Sequence, residues 1–121
     1  MSAAVTAYKM PDNATDGGPS ATRPVDLVHL ARQTMGDKEL EVEILSLFAR
    51  QARAALTEMG EGSIPAATVA HRIRGAANAV GAFKVAAVAG EIEAGQDDAA
   101  SISRFGAAVI EAENFINKLC R

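Results

Sequence analysis

The chain has 121 residues, 49% of them hydrophobic, with 12 basic and 15 acidic side chains for a formal net charge of -3. That supports one domain with a real core, and it excludes a nucleotide-binding catalytic domain joined to a second regulatory domain. The absence of a basic excess argues against a nucleic-acid binder, and the single cysteine, Cys120, excludes an intramolecular disulfide framework and a Cys-rich zinc site.

Residues 1–23 read as a flexible N-terminal tail. Pro11, Asp12, Asn13, Asp16, Gly17, Gly18, Pro19 and Ser20 favour turns and disorder, and no apolar period runs through them. The segment lacks the basic start and apolar run of a secretory signal, and no stretch reaches the roughly 20 apolar residues of a membrane span. A cytoplasmic protein with no membrane attachment is expected.

Residues 24–121 carry a helical pattern. Pro24 and Asp26 mark a first start, and Leu27, Leu30, Ala31 and Met35 form a short apolar stripe that Gly36 stops. Asp37 opens a long helix with Leu40, Ile44, Leu47, Phe48, Ala52, Ala55 and Met59 on one face, ended by Gly60 and Gly62. Ser63 is the expected cap of the next helix, with Pro65 in its first turn and Ala66, Val69, Ile73, Ala76, Ala77 and Val80 inward. Gly81 breaks it. Val85, Val88, Ala89 and Ile92 define a further helix ended by Gly95. Asp97 or Asp98 caps the last one, with Ile102, Phe105, Val109, Ala112, Ile116 and Leu119 as a seam. The expected fold is all-α: an antiparallel four-helix bundle with a short additional N-terminal helix. Aromatics are only 4% of the chain, so the core is aliphatic and Ala-rich.

Of the two histidines, His29 lies between Val28 and Leu30 and reads as an ordinary boundary or surface residue. His71 is set apart by its direction. At roughly 100° per residue it lies about 160° from the centre of its helix's apolar face, and so points outward. The same outward stripe holds Ala67, Arg74, Gly75, Asn78 and Ala82, which are mostly small. A glycine inside a helix costs about 1 kcal/mol relative to alanine. Gly75 either permits close helix packing or lets a partner surface approach the imidazole. Arg74 places a fixed positive charge one turn along, suited to a phosphoryl group on the ring.

The stretch Ala70-His71-Arg72-Ile73-Arg74-Gly75-Ala76-Ala77-Asn78-Ala79-Val80-Gly81-Ala82 resembles the signature of histidine-containing phosphotransfer (HPt) domains: His, any residue, Leu or Ile, Lys or Arg, Gly, two small residues, then a further Gly. Gly36-Asp37-Lys38-Glu39-Leu40 is similar to that family's turn before its second helix, and the resemblance runs over about residues 25–120. It implies a phosphorelay intermediate of two-component signal transduction. Such a protein accepts a phosphoryl group from the phospho-aspartate of one response-regulator receiver domain, or from a hybrid histidine kinase, and passes it to another receiver. On that resemblance His71 is the phosphorylated residue, Arg74 steadies the phosphoryl group, and Gly75 lets the receiver dock. Ala67, Asn78 and Ala82, on the outward stripe, belong to the docking face; Arg72 and Lys84 flank the site in sequence and either solvate a helix edge or, as a set with Arg74, complement the acidic pocket of a receiver. Glu93 falls at a position that is often Gln in the family; as an acid it lacks a donor for the phosphoryl group, but it can accept from the ring N–H and orient the imidazole. The implied protein is a monomer with no cofactor of its own, and the magnesium ion comes from the partner receiver.

The residues suit that chemistry. Neutral imidazole is a good nucleophile near neutral pH, and phosphoryl transfer depends mainly on positioning and cationic stabilisation. The chain has no phosphate loop of the GxxxxGK or GxGxxG type, since Pro65 stands where Gly60-Glu61-Gly62 would need its third glycine. A carrier without kinase activity of its own is therefore expected. The main alternative is a helical docking module without phosphotransfer, which the presence of both His71 and Arg74 disfavours. A di-iron bundle would need Glu-x-x-His pairs, but Thr68 and Asp26 occupy the positions three before the histidines, so no metal site is expected.

Overall fold

The computed structural model describes residues 23–120, so the expected tail lies outside the described residues except at Arg23. Among the described residues there are five helices and no strand: α1 (Leu27–Thr34), α2 (Lys38–Glu61), α3 (Ala66–Val80), α4 (Phe83–Glu93) and α5 (Ala99–Leu119). The fold class is all-α.

Aspartates open three of the helices. The Asp26 carboxylate accepts from the backbone N–H of Val28 and His29, Asp37 from Leu40, and Asp98 from Ser101. Each satisfies donors that the first helical turn leaves without partners. Ser63 does not cap α3; the helix starts behind Pro65 with no side-chain cap. Proline presets a backbone φ near the helical value and brings no N–H of its own to satisfy.

Helix α2 contacts α3 and α5, and α4 contacts α3 and α5, so these four close a ring around the core, while α1 lies against α2 and α3. Phe48, Phe105, Leu45, Ile92 and Ile116 are the large side chains at its centre. Four expected core positions are corrected. On α2, Leu45 is buried, while Leu47 is 47% and Leu40 38% exposed; several apolar residues in a row blur which face is inward. Met35 is 93% exposed because the backbone turns left-handed there (φ 53°) and carries it off the helical stripe. Leu119, in the last turn, is half exposed.

Gly81 fixes how α3, α4 and α1 meet. It closes α3 at φ 88°, and its carbonyl accepts from the Asp26 N–H at 2.9 Å. A Cβ at this position would sit 2.9 Å from the Asp26 carbonyl oxygen. Above this tie, the His29 ring meets Phe83 edge-on, with centroids 5.1 Å apart. No helix of the described residues is long and apolar enough to cross a membrane.

Two outcomes follow. Gly81→Ala combines a left-handed backbone with a steric clash, and is expected to cost on the order of 2 kcal/mol, read as a lower urea midpoint. The Asp98 carboxyl is held below its ordinary value, chiefly by the Ser101 backbone N–H. A depressed folded value means stability that is present above the unfolded value and is lost as pH falls through the folded one. Asp98→Asn keeps a capping acceptor but does not titrate, so its melting temperature is expected to fall less steeply than the wild type's from about pH 5 to pH 2.

Candidate functional site

The seam between α3 and α4 carries the site. These two helices make the most extensive contact in the fold, and small buried residues, Ala70 and Ala77 on α3 with Ala86 and Ala89 on α4, permit close approach. Side chains rooted on one helix therefore reach the other.

His71 projects from α3, its side chain 68% exposed. Its Nδ1 lies 2.6 Å from Glu93 Oε2, at the last residue of α4. A carboxylate only accepts, so Nδ1–H is the donor, and in the neutral ring Nε2 is the nitrogen left with a lone pair for chemistry. The other Glu93 oxygen, Oε1, is shielded from solvent and lacks a well-aligned hydrogen bond. Its nearby cation is Arg74, whose Nε lies 3.2 Å away, an electrostatic contact rather than a directional bond. Glu93 thus sits between the imidazole and the guanidinium.

Gly75 is exposed, and a Cβ added there would meet nothing within 4 Å. Helix packing does not require this glycine, which removes one of the two explanations open from the sequence. Asn78 is exposed and Ala67 half-buried, both on the same helix as His71. Ala82 does not join them; it is fully buried. The stripe assumes an unbroken helix, but Gly81 ends α3 and turns Ala82 inward as the residue before α4.

The flanking cations occupy neighbouring seams. Arg72 bonds Glu58 of α2 at 2.5 Å, and Lys84 bonds Glu111 of α5 at 3.0 Å. Lys84 also lies nine residues from Glu93 along α4, roughly 13 Å in axial rise. Neither shares Glu93 with the imidazole, as Arg74 does.

The structure adds one residue that the sequence reading passed over. Gly90 of α4 lies under the Arg74 side chain; a Cβ there would be 3.6 Å from Arg74 Cδ and 3.9 Å from Nη1. Its signal, a glycine inside a helix, is the same one that singled out Gly75. Among the described residues no group of three or more His, Cys, Asp or Glu is placed to hold a metal ion.

No protein-family model matches the chain, and no match to it is found among curated proteins or solved structures.

The Glu93 contact carries a direct spectroscopic expectation. In the wild type the neutral His71 ring is held with the proton on Nδ1, and Glu93→Ala lets both ring forms populate. Two-bond ¹H–¹⁵N spectra of the imidazole distinguish them: one tautomer is expected in the wild type and averaged nitrogen shifts in the variant.

Proposed function

We propose that the protein is a histidine phosphocarrier of the HPt type, working between response-regulator receiver domains or from a hybrid histidine kinase to a receiver. The observation that carries this reading is the exposed His71 ring, with Nδ1 engaged by Glu93 and Nε2 left as nucleophile, beside a cation and an open glycine. On this reading α2–α5 form an antiparallel four-helix bundle with α1 as an additional short helix. The protein acts as a cytoplasmic monomer without nucleic acid or membrane, and the receiver brings the magnesium ion.

The transfer balances without a buried base. The Nε2 lone pair attacks phosphorus in the receiver's acyl phosphate, the Nε2–P bond forms, and the P–O bond to the aspartate breaks. The aspartate leaves as a carboxylate with the bonding pair. The ring keeps its proton on Nδ1, and Glu93 accepts from it. Transfer onward to a second receiver is the reverse of the same step. Arg74 offsets the charge spread over the phosphoryl oxygens. Gly75 leaves a gap through which the receiver's acidic site can approach.

Receiver domains charged with acetyl phosphate and mixed with the protein are expected to yield an acid-labile phosphoryl adduct by mass spectrometry, absent in His71→Ala. Arg74→Ala is expected to slow transfer roughly ten- to hundred-fold. Gly75→Ala is expected to stabilise the fold by about 1 kcal/mol, and Gly75→Gln to fold but transfer poorly. Binding to a receiver with no adduct from any of the panel would favour the docking-module reading instead.

A further inference from the structure

We infer that Arg74 changes partner during the carrier's cycle: in the resting protein it is held over α4 by Glu93 on a bed made by Gly90, and it leaves Glu93 for the phosphoryl group when His71 is charged. The inference rests on the phosphocarrier reading.

Its basis is where Arg74 lies at rest. The guanidinium Nε is 3.2 Å from Glu93 Oε1, and Cδ and Nη1 run across the position where a Gly90 side chain would begin. The side chain therefore crosses from α3 onto α4. Glu93 Oε1 is closed to water and lacks an aligned hydrogen bond, so the pair is attractive without being locked. Arg74 is itself 44% exposed, and a contact of this kind is weak enough to be broken. A phosphoryl group on Nε2 brings more negative charge than one carboxylate and three acceptor oxygens, and it competes for the same cation. Glu93 still holds the ring through Nδ1 after Arg74 departs. When the phosphoryl group leaves, Glu93 takes Arg74 back. Glu93 and Gly90 are positioning residues here; neither touches the reacting atoms.

The test follows the Arg74 Nε–H signal by ¹H–¹⁵N NMR in the full chain, before and after charging His71 with phosphoramidate. In that reaction Nε2 attacks phosphorus, the P–N bond breaks, and ammonia leaves. The wild-type signal is expected to move on charging, and not to move in His71→Ala given the same treatment. In the resting protein, Glu93→Gln and Gly90→Leu are each expected to speed exchange of this proton with water about two- to five-fold, the size of a half-exposed ion pair. In the charged protein both variants are expected to match the wild type. Gly90→Leu leaves the Glu93–His71 contact in place, so it separates the cation's displacement from any change at the ring. Variants that differ from the wild type as much after charging as before would show Arg74 still on Glu93 and overturn the exchange while the carrier reading stands. No adduct on His71, from phosphoramidate or from the receivers, would overturn both.

Discussion

Ala70, Ala77, Ala86 and Ala89 are buried in the two helices that make the most extensive contact in this fold. With side chains that small, α3 and α4 approach closely enough for a residue at the end of one to reach the face of the other. The 2.6 Å contact between His71 and Glu93 and the path of Arg74 across Gly90 both follow from that approach. Larger core residues in those places would separate the helices and leave an exposed histidine with nothing to orient it. The Gly81 turn, tied to Asp26 by a backbone hydrogen bond, sets the angle at which the chain re-enters as α4.

Glu93 is an acid in the last turn of a helix, where the exposed carbonyls already carry partial negative charge. In isolation this placement is unfavourable by a few tenths of a kcal/mol or more. Here an imidazole N–H and a guanidinium face it from α3. Glu91, two residues earlier, turns the other way and bonds Arg104 of α5 at 2.7 Å. Two acids at one helix end are thus drawn to opposite seams, and only Glu93 serves the histidine. A carboxylate suits this place better than an amide in one respect: it can only accept, so it admits one arrangement of the ring proton.

The helices were legible because their punctuation is chemical. Asp26, Asp37 and Asp98 cap, and Gly62 and Gly81 end helices in left-handed conformations that other residues resist. The outward direction of His71 was also legible, because Val69, Ile73, Ala77 and Val80 define one buried face. What failed was extrapolation past a break. Ala82 continues the His71 stripe only if the helix continues, and Gly81 prevents that. Leu47 was placed inward in place of Leu45 because α2 is apolar at several adjacent positions, which blurs its inner face. The ion pairs of Arg72 and Lys84 were out of reach for a different reason: their partners, Glu58 and Glu111, lie on other helices, and no spacing within a helix reports a contact between helices.

The interior glycines show how far a single residue type can be read. Each costs its helix about 1 kcal/mol against alanine, yet the reasons differ. At Gly106 a Cβ would come within 3.3 Å of Leu56 Cδ1, so an added methyl would press on the tip of that α2 side chain. At Gly90 the neighbour is the flexible Arg74 side chain, at an ordinary contact distance. An alanine would fit there, and the glycine instead keeps the surface low where a charged stem lies across it. Gly60 is open, but it stands in the final turn of α2, where the helix is about to end. Gly75 is open in the middle of α3, one turn from His71, with no end to mark and no neighbour to clear. Among the described residues, then, no packing contact accounts for its helix cost. On the proposed phosphocarrier reading, a receiver surface that comes close to the Nε2 side of the ring supplies the cause.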